Sequence, residues 1–229
     1  MKTITEIIAY HGWGFRADCW QAWQTQLMQQ GYAWQSFDRG YFGSSHQPIF
    51  TPTARKIILV HSYGLHLCPI EQLQQADVLV IFSSFQAFHP VTERLRQRSQ
   101  QVVERMIEQF QVDPQQVLTQ FYQNCYSPQV WRGQVPAPIA IDRLKQDLQQ
   151  LNRAEFDLNL FKPIPLIVKF HGLNDRIVAG ERLSFEQITD HLQNPPINHT
   201  INNAGHALPF THQAVCWTQL QSILDLSLR

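Results

Sequence analysis

Lys56-Ile57-Ile58-Leu59-Val60-His61-Ser62-Tyr63-Gly64-Leu65 is an apolar, β-branched run that stops at a serine, with a glycine two residues further on. A short continuous apolar run of this kind suits a strand buried on both faces. Where such a strand breaks sharply into a helix at a serine, the hydroxyl is held out at the end of the sheet, within reach of a base. Ser62 is therefore the first candidate nucleophile. Taken alone the pattern has little specificity, because apolar strands often end in Ser-x-Gly turns and Val60 stands where the usual pattern has glycine. Two further strand ends add weight. His171-Gly172-Leu173-Asn174-Asp175 follows the apolar run at 166–170, and Asn203-Ala204-Gly205-His206-Ala207 follows a short strand expected at 198–202.

Outward from Ser62, strand and helix patterns alternate. Ile7-Ile8-Ala9-Tyr10 reads as a buried strand leading into His11-Gly12-Trp13-Gly14. Residues 17–30 carry Trp20, Trp23 and Leu27 at helical spacing, with Gly31 as the stop. A strand is expected over 32–37, a turn over Asp38-Arg39-Gly40-Tyr41-Phe42-Gly43, and no full helix over 44–55, where Pro48 and Pro52 interrupt. Pro69 limits a helix after Ser62 to under two turns and starts another. Residues 76–82 form a further buried strand, 163–170 another, and 214–226 a closing helix. Between them, 89–156 is rich in Gln, Arg and Glu and reads as three or more amphipathic helices without a strand. The expected organisation is an α/β core made of 1–88 and 157–229, mostly parallel in its sheet, with a helical cap inserted at 89–156. Parallel sheets flanked by helices bind ligands at the carboxyl ends of their strands, where all three motifs fall.

The chain has 229 residues, an ordinary apolar share of 44%, and eighteen basic against eighteen acidic residues. With no net field to attract polyanions, neither nucleic acid nor an anionic membrane surface is an expected partner. The start, Met1-Lys2-Thr3-Ile4-Thr5-Glu6, has no long apolar core and no run reaches the roughly 20 residues needed to span a bilayer, so a cytoplasmic monomer is expected. Cys19, Cys68, Cys125 and Cys216 are scattered without a Cys-x-x-Cys pair and read as reduced, packed thiols. No metal and no cofactor is called for. Thirty glutamines, many on the polar faces of expected helices, have no functional account.

A serine hydroxyl is a poor nucleophile until a base takes its proton, and that imidazole must be held in one tautomer by an acceptor. Asp175 and His206, each just after a strand, fit the acceptor and the base. The oxyanion needs two preorganised donors; the amides of Tyr63, directly after the nucleophile, and Trp13, in the turn after the first strand, are the candidates. His11, Gly12 and Gly14 of that turn, Ser83 (with Ser84) at the end of the 76–82 strand, and Phe121, Arg94 and Arg98 of the cap are the expected substrate contacts. His61 is read as structural or cleft-lining. His46, His66, His89, His191, His199 and His212 have no catalytic motif of their own.

With these residues assembled, the chain resembles the α/β-hydrolases that act in biotin synthesis as carboxylesterases on the methyl ester of a pimeloyl-carrier protein. The resemblance is carried by His11-Gly12-Trp13-Gly14-Phe15 followed by Trp20, by 38–43 in place of an Asp-x-Pro-Gly-Phe-Gly turn, by Asp175 after His-Gly, and by Gly205-His206-Ala207-Leu208-Pro209-Phe210-Thr211-His212. It implies an α/β-hydrolase fold and a cap that binds the acyl chain and offers basic residues to an acyl carrier protein. Arg94, Arg96, Arg98, Arg105, Arg132, Arg143, Lys145 and Arg153 are available for that patch. Over 91–155, however, eight basic residues meet seven acidic ones, so a patch requires segregation onto one face. Val60 and Leu65 depart from the family's elbow, where small residues are usual. An acyl thioesterase or other small-ester hydrolase using the same residues, or a catalytically silent binding module of the same fold, are the alternatives.

Overall fold

The computed structural model describes residues 4–52, 54–178 and 195–226; His191 and the first three residues lie outside them. Six parallel strands form one sheet: β1 (Thr5–Tyr10), β2 (Ala33–Ser36), β3 (Arg55–His61), β4 (Val78–Phe82), β5 (Leu166–Gly172) and β6 (Ile197–Ile201), in the order β2-β1-β3-β4-β5-β6. The register sets Tyr10 beside Val60 and Val60 beside Ile81, so the ends of the central strands are level. Alternation along each strand divides the core. Ile7, Ala9, Ile57, Leu59, Val80 and Phe82 face one side, against Trp20, Trp23 and Leu27 and the closing helix residues Trp217, Leu220 and Leu224. Ile8, Tyr10, Ile58, Val60, Leu79 and Ile81 face the other.

The first helical stretch is split: a short 3-10 turn over Ala17–Trp20 precedes α1 (Gln21–Gln29), and Gly31, with φ of +88°, ends it as expected. After Ser62 come two short helices, α2 (Gly64–Leu67) and α3 (Ile70–Leu73), separated at Pro69. Among the described residues no helix connects β2 to β3; Phe37 and Phe50 from this connection cover the sheet face instead. Three α-helices and a short 3-10 turn, Leu158–Phe161, fill the stretch between β4 and β5: the α-helices are α4 (Glu93–Val112), α5 (Pro114–Tyr126) and α6 (Ile141–Leu151). A proline at the first position of α5 and the Asp113 side chain, which accepts from the Gln116 amide, fix its start. These helices carry a third apolar cluster, Val103, Phe110, Leu118, Tyr122, Leu144 and Leu148, which closes over Trp13, Phe15, Tyr63 and Phe85 at the strand ends. The chain finishes with α7 (Leu208–Thr211) and α8 (Gln213–Leu226). No helix among the described residues is long and apolar enough to cross a membrane.

Candidate active site

β3 passes into α2 through Ser62, whose φ of +54° lies in the left-handed region. A residue with a Cβ pays about 1 kcal/mol or more there and persists only where its surroundings hold it. Both backbone groups of Ser62 are held: its amide donates to the Phe82 carbonyl at 3.0 Å, and its carbonyl accepts from the Ser84 hydroxyl at 2.7 Å. The close approach of this elbow to β1 falls at Gly64, where a Cβ would stand 2.5 Å from the Tyr10 carbonyl oxygen. Val60 is fully buried in one cluster with Leu65, Tyr10 and Ile81. The two departures from the usual elbow thus fill core space and leave the turn open.

His206 stands on the loop between β6 and α7. Its Nε2 is 2.8 Å from Ser62 Oγ and its Nδ1 is 2.8 Å from Asp175 Oδ2. A carboxylate on the Nδ1 side fixes the tautomer, with Nδ1–H donating and Nε2 free to accept the serine proton. Asp175 is oriented in turn by the amides of Ile177 and Val178, both 2.8 Å from Oδ1. Burial alone would raise the Asp175 carboxyl; neighbouring His206, with the Val178 amide and His171, outweighs it and holds the group below the ordinary carboxylate value. The loop carrying His206 is braced on both sides. The Ala207 amide donates to the Cys125 carbonyl at 2.8 Å, and His61 Nε2 donates to the His206 carbonyl at 3.0 Å. Burial pushes the His61 imidazole well below its ordinary pKa, which keeps it neutral in that role.

The turn after β1 approaches the serine so closely that a Cβ on Gly12 would lie 2.8 Å from Ser62 Cβ and 3.3 Å from its Oγ. Among the described residues, the amides of Trp13 and Tyr63 have no protein acceptor. The helices lock this turn from above: Trp13 Nε1 donates to the Leu144 carbonyl at 2.8 Å, and the Tyr122 hydroxyl donates to the Gly14 carbonyl.

Ser62 opens into a cavity of about 690 Å³ under α4 and α5. Trp13, Phe121 and Arg98 line it, and Gly14 packs beneath the Phe121 ring. His11, Ser83 and Arg94 do not line it. The buried His11 ring is engaged within the protein, Nδ1 donating to the Gly12 carbonyl at 2.9 Å and Nε2 accepting from the Arg39 amide at 3.1 Å. Ser83 is buried at φ of +46°, and among the described residues its hydroxyl has no partner. Ser84, expected beside it in the cleft, is buried and its hydroxyl donates to the Ser62 carbonyl. Arg94 is exposed on α4, one turn before Arg98. Arg176, which does line the cavity, was not foreseen; its only sequence signal is its place next to Asp175.

Strand order, the strand-to-helix elbow at Ser62 and the serine, aspartate and histidine after β3, β5 and β6 are those of the α/β-hydrolase fold. Solved structures agree. An esterase of Exiguobacterium antarcticum superposes with a TM-score of 0.78 at 13% identity, covering 98% of this chain and 93% of that one. A bromoperoxidase of Bacillus anthracis gives 0.72 at 16%, covering 97% and 92%, and a thermophilic esterase of Thermogutta terrifontis gives 0.72 at 12%, covering 97% and 90%. At such identities the likeness establishes the fold, and the reaction has to be read from the site. No family model matches the sequence, and no curated protein does.

Proposed function

We propose that the chain is a serine carboxylesterase. The observation that carries this reading is the unbroken hydrogen-bond chain Asp175–His206–Ser62, 2.8 Å at each link, at the wall of a largely apolar cavity. Ser62 Oγ attacks the ester carbonyl carbon while His206 Nε2 takes its proton, and Asp175 stabilises the imidazolium that forms. The tetrahedral oxyanion is received by the unused amides of Trp13 and Tyr63. Collapse expels the alcohol, which takes the proton back from His206 and leaves an acyl-serine. Water, deprotonated by the same imidazole, then releases the acid and restores the serine. A fluorophosphonate probe tests the assignment: stoichiometric labelling of the folded protein is expected, and its loss in Ser62→Ala. Absence of labelling in well-folded protein overturns the esterase in favour of a silent binding module.

The sharper form is hydrolysis of the methyl ester of a pimeloyl group presented by acyl carrier protein in biotin synthesis, in a cytoplasmic setting that suits four unpaired cysteines. Its support is the likeness of 11–15, 38–43 and 205–212 to that family, together with an apolar cavity fit for an acyl chain. A monomer meeting the carrier through exposed Arg94 and Arg98 is part of this form. Failure of the expressed protein to restore biotin-independent growth to a strain lacking its pimeloyl-ester esterase removes it and leaves the general esterase, or a thioesterase, standing.

A further inference from the structure

Among the described residues, three charged side chains line the cavity beside Ser62, and all three are cations: Arg98 and Arg105 on α4 and Arg176 on the loop after β5. In a chain whose basic and acidic residues cancel at eighteen each, three guanidinium groups around one cavity, with no carboxylate among the described residues that line it, form a local positive field. Arg98 and Arg105 stand at i and i+7, two turns apart on one helix face. All three are exposed, and among the described residues none takes part in an ion pair, unlike Arg16, Arg39 and Arg96, which pair with Asp18, Asp147 and Glu93. Most of the remaining lining is apolar, including Leu95, Val102, Val103, Met106 and Phe121.

Solvent-facing cations bordering an apolar cavity match a ligand that is apolar in its body and anionic at one end. Planar guanidinium forks bind carboxylates and phosphates with two parallel hydrogen bonds, and such an anion relieves their mutual repulsion. We infer that the site takes an anionic ester, its chain against the apolar wall and a carboxylate or phosphate, several bonds from the scissile carbonyl, held by Arg98, Arg105 and Arg176. The inference rests on Ser62 being the ester-cleaving nucleophile. Two sources share this chemistry: a free carboxylate at the far end of the acyl chain, and a phosphate on the leaving group.

Equilibrium binding to the Ser62→Ala protein separates this subsite from catalysis. Titration calorimetry at low salt compares monomethyl adipate with methyl hexanoate for the acyl carboxylate, and hexanoyl-phosphopantetheine with hexanoyl-pantetheine for the leaving-group phosphate. In one pair or both, the anionic member is expected to bind about tenfold more tightly, a difference of about 1.4 kcal/mol. Individual replacements Arg98→Gln, Arg105→Gln and Arg176→Gln, all at exposed positions, are expected to reduce that preference, and the triple replacement to abolish it. Equal binding within both pairs, or a preference that survives the triple replacement, overturns the subsite. Because binding is read without turnover, a silent Ser62 sinks the esterase assignment and leaves this test intact.

Discussion

At the scale of the residue, the site depends on atoms that are absent as much as on those present. Gly12 lies against Ser62 with no room for a side chain, since an added Cβ would fall 2.8 Å from Ser62 Cβ. The strand beneath is rigid, so the turn rather than the serine gives way, carrying the Trp13 amide with it. Gly12→Ala is therefore expected to lower kcat on the order of a hundredfold, the effect of displacing a catalytic group by about an ångström, while thermal unfolding shows a folded protein. An unchanged kcat would mean that Trp13 does not serve the oxyanion. Ser62, Asp175 and His206 were legible in the sequence because each follows an apolar run and precedes or includes a glycine turn. The bonds that Ser84 and His61 make were not, because their acceptors, the carbonyls of Ser62 and His206, come beside them only when strands β3, β4, β5 and β6 assemble.

At the scale of the element, the three α-helices between β4 and β5 grip the loops that carry Trp13 and His206. Leu144 and Tyr122 hold the first turn, and Cys125 holds the histidine loop. The strongest tie is polar. Asp147 of α6 is fully buried and accepts two hydrogen bonds from Arg39, at 2.7 and 2.8 Å, and one from the Tyr41 hydroxyl at 2.7 Å. Arg143 of the same helix donates to the carbonyls of Arg39 and Gly40, both at 3.0 Å. Removing one partner of a buried pair leaves the other charge stranded. Arg39→Ala is expected to destabilise the fold by about 3 kcal/mol, measured as a shifted urea midpoint, whereas Asp147→Asn, which keeps a hydrogen-bonding side chain, costs less. A smaller loss for Arg39→Ala than for Asp147→Asn would show that Tyr41 alone satisfies the aspartate. The turn at 38–43 was foreseen as a motif, and its partner on α6 was not, since more than a hundred residues separate Arg39 from Asp147.

At the scale of the whole molecule, buried imidazoles set the response to acid. His11, His61 and His66 are held below their ordinary pKa first by burial, with His66 brought from 6.5 to about 4. In the unfolded chain each takes up a proton near 6.5, and in the folded protein each resists it. Their contribution is complete above the unfolded value and is lost progressively as pH falls from 6.5 toward about 4 for His66. Across that window stability is expected to fall by up to about 1.4 kcal/mol per pH unit for each histidine that stays neutral. Denaturant midpoints taken from neutral pH downward check this, and His66→Gln is expected to remove one proton's share of the slope. A flat profile would show that these rings are charged in the folded state.

Local pattern in the chain was enough for the alternation of strands and helices, for the proline-broken connection before β3 and for the chain order Ser62, Asp175, His206. These are local, set by hydrophobic period, proline position and glycine turns within a few residues. Only the tertiary structure decided that His11 serves the protein interior rather than the cavity, and that Val60 and Leu65 are core filling. The same holds for Arg98, Arg105 and Arg176, which share one cavity with Ser62 while Arg94 does not. Which face a side chain presents, and to what, depends on strand register and on helices returning from far along the chain, and no local pattern records either.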